Sequence, residues 1–252
     1  MTITKSITID CHETLGSILN AGTNGITIAF DSFASTDIRF TVRLRGLSLN
    51  GFDTGVIGIR IVGGNPPSPH TGGVVLIEDT VMDGNFGGVG RGISDDRTSG
   101  GELYISNTTV RNTANSGIVI SGSLLASQRI DATLQNVRIQ NCGCGLAVSN
   151  GAKVLVANST FTGNTSCGIY ADGPINPSQL NVDNSVSSNN GVGVDAVAGG
   201  TIVLSNNDIA FNTTGITGAT QSFTNNRISG NGTPGTAPTQ ISPLSTNPSG
   251  QQ

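Results

Sequence analysis

Charged residues make up only 11% of this 252-residue chain, so the few that cluster stand out. Asp95, Asp96 and Arg97 are consecutive, and Asp172 and Asp195 sit in the short apolar runs GIYAD and GVDAV. Hydrolysis of a glycosidic bond needs two carboxyl groups about 5–5.5 Å or about 6.5–9.5 Å apart, one to protonate the leaving oxygen and one to attack or activate water. Asp95 with Asp96, or Asp172 with Asp195, could form such a pair. Arg60, Arg97 and Tyr170 could add cationic and stacking contacts to a sugar. The plainer reading makes Asp95, Asp96 and Arg97 a solvated turn with a local ion pair worth little.

Other chemistries find less support. His12 and His70 are the only imidazoles, and no serine lies in a strained elbow beside either. Cys11, Cys142, Cys144 and Cys167 lack zinc-ligand spacing, so no metal and no cofactor is expected. Cys144 and Cys167 are expected to be near neighbours that point the same way, which suits a disulfide poorly; all four cysteines are expected as free thiols, with Cys11 buried. A net charge of −4 with twelve scattered Lys and Arg argues against nucleic acid, which needs a clustered basic face. No apolar run reaches the roughly 18 residues that span a bilayer, so no membrane contact is expected.

The elements that would position these side chains repeat. ELYISNTTVRNTANSGIVIS at 102–121 is nearly copied by KVLVANSTFTGNTSCGIYAD at 153–172. We align the residue closing each ΦxΦx run, where Φ is apolar and x is any residue. The series is Cys11, Gly46, Asp79, Asn107, Asn136, Asn158, Asn184, Asn206 and Asn225, with spacings that fall from 35 residues to 19. Three residues on comes an apolar side chain: Leu49, Met82, Val110, Ile139, Phe161, Ile209 and Ile228. The unit of Asn184 breaks the pattern with Ser187. A polar stretch and a glycine lead into a second run of the form GΦxΦ.

Each unit therefore predicts about three short strands and no helix. A unit this small cannot bury its apolar face alone, but stacked copies share one core. The expected fold class is all-β, a single-stranded parallel solenoid of about nine coils with strands about 4.8 Å apart. Like residues then form columns, and inward Ile, Val and Leu contribute about 1.5–3 kcal/mol each. Asn107, Asn136, Asn158, Asn184, Asn206 and Asn225 are expected to form a structural asparagine ladder, each amide bonding to backbone and to the next level. The glycosylation-like motifs starting at Asn107 and Asn158 are then by-products of the repeat, with both side chains buried. A β-sandwich is disfavoured by the fixed spacing and the lack of hairpin dipeptides.

Alternation along the GΦxΦ strands gives an outward file of Thr27, Arg60, Ser94, Val119, Ala147, Tyr170, Asp195 and Thr217. A second file holds Asp96, Ser121, Ser149, Asp172 and Val197. Insertions at 63–73, 94–101, 121–129 and 172–178 follow these strands and would wall one edge of the sheet.

With these features the chain resembles the right-handed parallel β-helices of the pectate-lyase-like superfamily over residues 2 to about 231. ITIDCHETLGSILNAGTNGITI followed by TVRLRGLSLNG is similar to their early coils. The resemblance implies saccharide along the GΦxΦ sheet and a secreted or cell-surface location. Asp95 with Asp96 resembles the paired aspartates of polygalacturonases, although Gly-His-Gly and Arg-x-Lys motifs are absent. VLIEDTV at 75–81 lines up with the Val-Trp-Ile-Asp-His motif of calcium-dependent lyases, placing Glu78 and Asp79 at its Asp-His positions without the Trp or His.

The expected organisation is a β-helix domain over 1–231 and a Pro/Thr/Ser-rich tail or end cover over 232–252. MTITKSITID is already strand-like, and the first coil shows no cap of its own, so homo-oligomerisation through that coil is expected. The function expected first is a non-catalytic structural or surface module with weak polysaccharide contact. The alternative is a polysaccharide hydrolase, and less so a lyase, working in the GΦxΦ groove. Ice binding is excluded by the irregular outward file.

Overall fold

A computed structural model describes residues 1–14, 16–64, 72–123, 125 and 128–241. His70, parts of the 63–73 and 121–129 insertions, and the tail from residue 242 onward lie outside the described residues. Every strand pairing is parallel, and each joins strands one coil apart. Three runs of strands result. The ΦxΦx strands form a ten-stranded sheet. Short strands after the first turn, such as Leu47–Asn50, Thr160–Thr162 and Asp208–Ala210, form a second face. The GΦxΦ strands, such as Ile57–Val62, Arg91–Asp95 and Cys167–Ala171, form the third. Thr109–Ser121 and Arg138–Ser149 run unbroken through the corner between the last two faces. The chain is a parallel β-helix.

Alternating apolar residues fill its centre in columns. Leu44, Ile77, Ile105, Leu134, Val156, Val182 and Leu204 stack in register and are buried. On the short-strand face Leu49, Met82, Val110, Ile139, Phe161, Ser187 and Ile209 form another file. Ser187 keeps its inward place because it is satisfied there. Its Oγ donates to Gly193 O at 2.7 Å and accepts from Asn190 Nδ2 at 3.1 Å.

Backbone geometry explains the polar residues of the repeat. Asp79, Asn107, Asn136, Asn158, Asn184 and Asn206 all have φ between 47° and 54°, a left-handed conformation that Asn and Asp tolerate better than other residues with a Cβ. The glycine of GΦxΦ answers a different constraint. A Cβ on Gly25 would lie 2.6 Å from Gly58 O, one on Gly58 2.7 Å from Gly92 O, and one on Gly193 2.6 Å from Gly215 O. Successive backbones pass too closely there for any side chain.

Three expectations change at this level. The amides of the first turn are exposed, Asn107 and Asn158 included. They bond in short groups: Asn107 to Asp79 and Asn136 to Asn107, Asn184 to Asn158, Asn225 to Asn206. A buried amide file stands instead at the second turn, where Asn164 Nδ2 donates to Asn190 at 2.9 Å, Asn190 to Asn212 at 3.0 Å and Asn212 to Asn231 at 3.0 Å. Cys144 and Cys167 form a disulfide with Cα atoms 4.5 Å apart. In-register neighbours on adjacent rungs do come within bonding reach, so free thiols remain only at Cys11 and Cys142, and Cys11 is half-buried rather than buried. Paired strands also run past residue 231, at Thr233–Gly235 and Thr239–Gln240.

Candidate functional site

The outward face of the GΦxΦ sheet is a continuous file: Thr27, Arg60, Ser94, Val119, Ala147, Tyr170, Asp195 and Thr217 are partners in unbroken register. Its chemistry is uneven. Charge gathers at one end, Val119 and Ala147 make an apolar middle, and a tyrosine–carboxylate group occupies the far end.

At the charged end Asp96 is the hub. Arg60 Nε lies 3.5 Å from its Oδ2, Arg91 Nη1 lies 3.6 Å from its Oδ1, and Ser94 Oγ donates to Oδ1 at 3.0 Å. Arg91 Nη1 also donates to Ser94 Oγ at 3.0 Å. Two guanidiniums against one carboxylate leave this cluster cationic. Arg91 was missing from the sequence-derived set. Its position immediately before a GΦxΦ glycine, one rung from Arg60, is the signal that could have found it.

Asp95 and Arg97 do not belong to the groove. Alternation turns Asp95 inward, into the file of Ile61 and Ile120, and both side chains of the pair are fully buried. Arg97 Nη2 donates to Asp95 Oδ2 at 2.7 Å and Nε to Oδ1 at 2.9 Å. Its remaining donors reach Gly73 O and Glu102 O, and its guanidinium lies 5.3 Å from the Phe30 ring centre. The catalytic role expected of Asp95 and the ligand role expected of Arg97 are corrected accordingly. So is the solvated-turn alternative, because neither group meets solvent.

At the far end Tyr170 OH donates to Asp172 Oδ2 at 2.9 Å. Burial, the Asp172 bond and the nearby charges of Asp172 and Asp195 push the phenol up to about 12. Thr217 Oγ1 donates to Asp195 Oδ1. Asp195 is in register with Tyr170 and Asp172 is two residues further on, which sets the two carboxylates diagonally on adjacent rungs, about 8 Å apart at Cα from strand spacing and rise. Asp172 Oδ1 is buried without a partner. Beside Tyr170 lies a depression of about 330 Å³, floored by Ala147 and the Cys144–Cys167 bond and rimmed by Asn115, Ser116, Thr165 and Ser166.

The residues aligned with the lyase motif face another sheet edge. Glu78 pairs with Arg43 at 2.5 Å and Asp79 with Arg45 at 3.0 Å, and the bond from Arg45, with one from Asn107, holds Asp79 below the usual carboxylate range. Among the described residues no three or more His, Cys, Asp or Glu are arranged to hold a metal ion, and no helix is long and apolar enough to cross a membrane. His12 is exposed, next to a depression of about 490 Å³ that Cys11 and Asp79 also line.

Residues 124–242 match the family model described as a right handed beta helix region. No curated protein matches the chain.

Proposed function

We propose that this chain, a right-handed parallel β-helix repeat protein, works as a non-catalytic structural or surface module that touches polysaccharide weakly along its GΦxΦ sheet. One observation carries the reading: each of the four candidate carboxylates is engaged by the chain's own side chains. Asp95 is committed to Arg97, Asp96 to Arg60, Arg91 and Ser94, Asp172 to Tyr170, and Asp195 to Thr217. A general acid or base must be free to reach a reacting atom; Asp95 is sealed in the core, and Asp96, Asp172 and Asp195 each hold at least one bond within the chain. The same surface offers what a sugar needs for weak contact: guanidiniums, hydroxyls and the tyrosine ring. The disulfide supports an oxidising compartment, in keeping with a surface or exported module.

Asp172 and Asp195 favour a second reading, as a hydrolase. Their diagonal spacing and the unpartnered Asp172 Oδ1 make them the remaining carboxylate pair of interest. Reducing-end release from a polysaccharide panel separates the two. The expected outcome is no release above background and a modest loss of retention on immobilised polysaccharide for Tyr170→Ala. Release by the wild-type chain that Asp172→Ala or Asp195→Ala abolishes would establish the hydrolase and overturn the first reading.

A further inference from the structure

Seven consecutive strands of the ΦxΦx sheet, from Thr41–Arg45 to Gly200–Ser205, pair without a shift in register. On their outward side Tyr104, Thr133 and Leu155 lie in one file, and Tyr104 and Leu155 are 42% and 45% exposed. The neighbouring file places Glu102, Asp131 and Lys153 on the same three rungs. Asp131 is gripped by Arg129 through two bonds of 2.7 and 3.0 Å. Lys153 has no ion-pair partner among the described residues.

We propose that this face binds a second copy of the chain, sheet against sheet, about a two-fold axis lying along the Ile130–Gln135 strand. A two-fold interface must complement itself, and the outward residues of the three central rungs do. Rotation about that axis sets strand Gly101–Ser106 against the partner's strand 153–157. Glu102 then faces Lys153 of the partner subunit, and Tyr104 faces Leu155 of the partner subunit. Two like-charge approaches arise: Asp131 to its own copy, neutralised by Arg129 on each side, and Glu78 to Asp183 of the partner subunit, where Arg43 pairs with Glu78. A two-fold along the stack would instead set Glu102 against Ser106 and Lys153 against Ala157, leaving both charges unpaired. The Glu102–Lys153 pairing, formed twice across the axis, favours the first orientation.

The area is adequate. Seven strands about 4.8 Å apart and about 20 Å long give roughly 700 Å² per copy and about 1,400 Å² in all, within the range of specific stable interfaces.

The test is the mass of the full chain by sedimentation equilibrium over a concentration series. A dimer is expected. Glu102→Lys and Lys153→Glu should each weaken self-association about tenfold or more, and the double swap should return it to within about threefold, because the pair re-forms with its signs exchanged. Leu155→Asp should weaken it similarly by removing the partner of Tyr104. Circular dichroism and melting of each variant report folding separately, since all three positions are exposed. A wild-type mass of one chain throughout overturns the proposal. So does association indifferent to these substitutions, which would place contact elsewhere, as in stacking through the first coil, or a double swap as weak as the single changes.

Discussion

Between Thr41 and Ser106 successive turns of the helix are tied mainly by charges; between Lys153 and Gly235 they are tied mainly by amides, with one exposed pair, Arg227–Asp208. The earlier region holds Arg43–Glu78, Arg45–Asp79 and Arg60–Asp96 between turns, and the buried Arg97–Asp95 pair within one turn. The later region holds the file Asn164–Asn190–Asn212–Asn231, in which each amide also accepts from a backbone N–H one rung away. An amide is both donor and acceptor, so the same residue can follow itself at every level. A charge needs the opposite sign next to it, so no charged residue can repeat in file. Each early rung therefore solves its turn with different residues and longer chain, while the later rungs converge on one solution and spacings close to the shortest. The family match to residues 124–242 covers this later, regular part.

The largest test of the difference is the buried ion pair. Arg97→Met should destabilise the chain by about 3–5 kcal/mol in chemical denaturation, because Asp95 is left charged in an apolar core. Arg97→Met combined with Asp95→Leu should recover much of that loss, since the desolvation cost disappears with the charges. The site cannot simply be refilled. A Cβ on Gly101 would run into the Arg97 guanidinium, and one on Gly73 would enter the Phe30 ring. Those two glycines make room for an arginine and a phenylalanine inside a solenoid.

The disulfide comes next and lies where the two regimes meet. Cys144 and Cys167 close a loop of 23 residues, worth about 3 kcal/mol by loop entropy. Cys144→Ser is expected to lower stability by that order, and reductant should do the same to the wild type and nothing further to the variant. Peptide mapping without reduction should recover the two cysteines joined.

Smaller, and confined to the later region, is the effect of breaking the amide file. Asn190→Ala removes the acceptor of Asn164 and the donor to Phe161 O and to Asn212, leaving buried groups unpaired at an expected cost of about 2–3 kcal/mol. Asn136→Gly at the exposed first turn keeps the left-handed backbone and should stay within about 0.5 kcal/mol. If the two variants melt alike, the buried file is not what holds these rungs.

That pair of variants also marks what was legible in the sequence. The period, the inward columns and the outward register from Thr27 to Thr217 follow from strand alternation, which side-chain identity records directly. The ladder was sought at Asn107, Asn136, Asn158, Asn184, Asn206 and Asn225, because these asparagines recur at a fixed place after each ΦxΦx run. The first five recur for their left-handed backbone conformation. The buried amides Asn164, Asn190, Asn212 and Asn231 each lie six residues beyond Asn158, Asn184, Asn206 and Asn225, a regular signal that the more frequent first-turn series overshadowed. Asp95 was misplaced because its acidity was read as exposure, although the alternation that turns Ser94 and Asp96 outward already carries it inward. The rungs that bring Cys144 to Cys167 and Arg91 to Arg60 were legible from the repeat; what alternation alone did not show is that in-register neighbours come within bonding reach and that Arg91 turns onto Asp96.

The mildest contrast is one of acid sensitivity. Asp37 lies in the segment that closes the first coil, and burial alone would raise its carboxyl. Ser6 Oγ and Ser6 N, each at 2.6 Å, and Phe40 N and Arg39 N, each at 3.2 Å, outweigh burial and hold it at about 2. A carboxyl lowered on folding adds stability that is complete above its unfolded value near 3.8 and lost as pH falls through its folded value. Acid should therefore loosen the segment around Phe33 and Phe40 between about pH 4 and about pH 2. Amide hydrogen exchange in that segment should rise over this window in the wild type. In Asp37→Asn it should be flat over the same window and slightly faster at neutral pH. The file from Asn164 to Asn231 carries no titrating group, and its exchange should not change there. Nearby Asp208 is also held low by Arg227, but that arginine is 79% exposed and a surface pair contributes little. Exchange that rises equally in both regions would mean that acid acts on the whole helix, and that Asp37 does not govern how the first coil is closed.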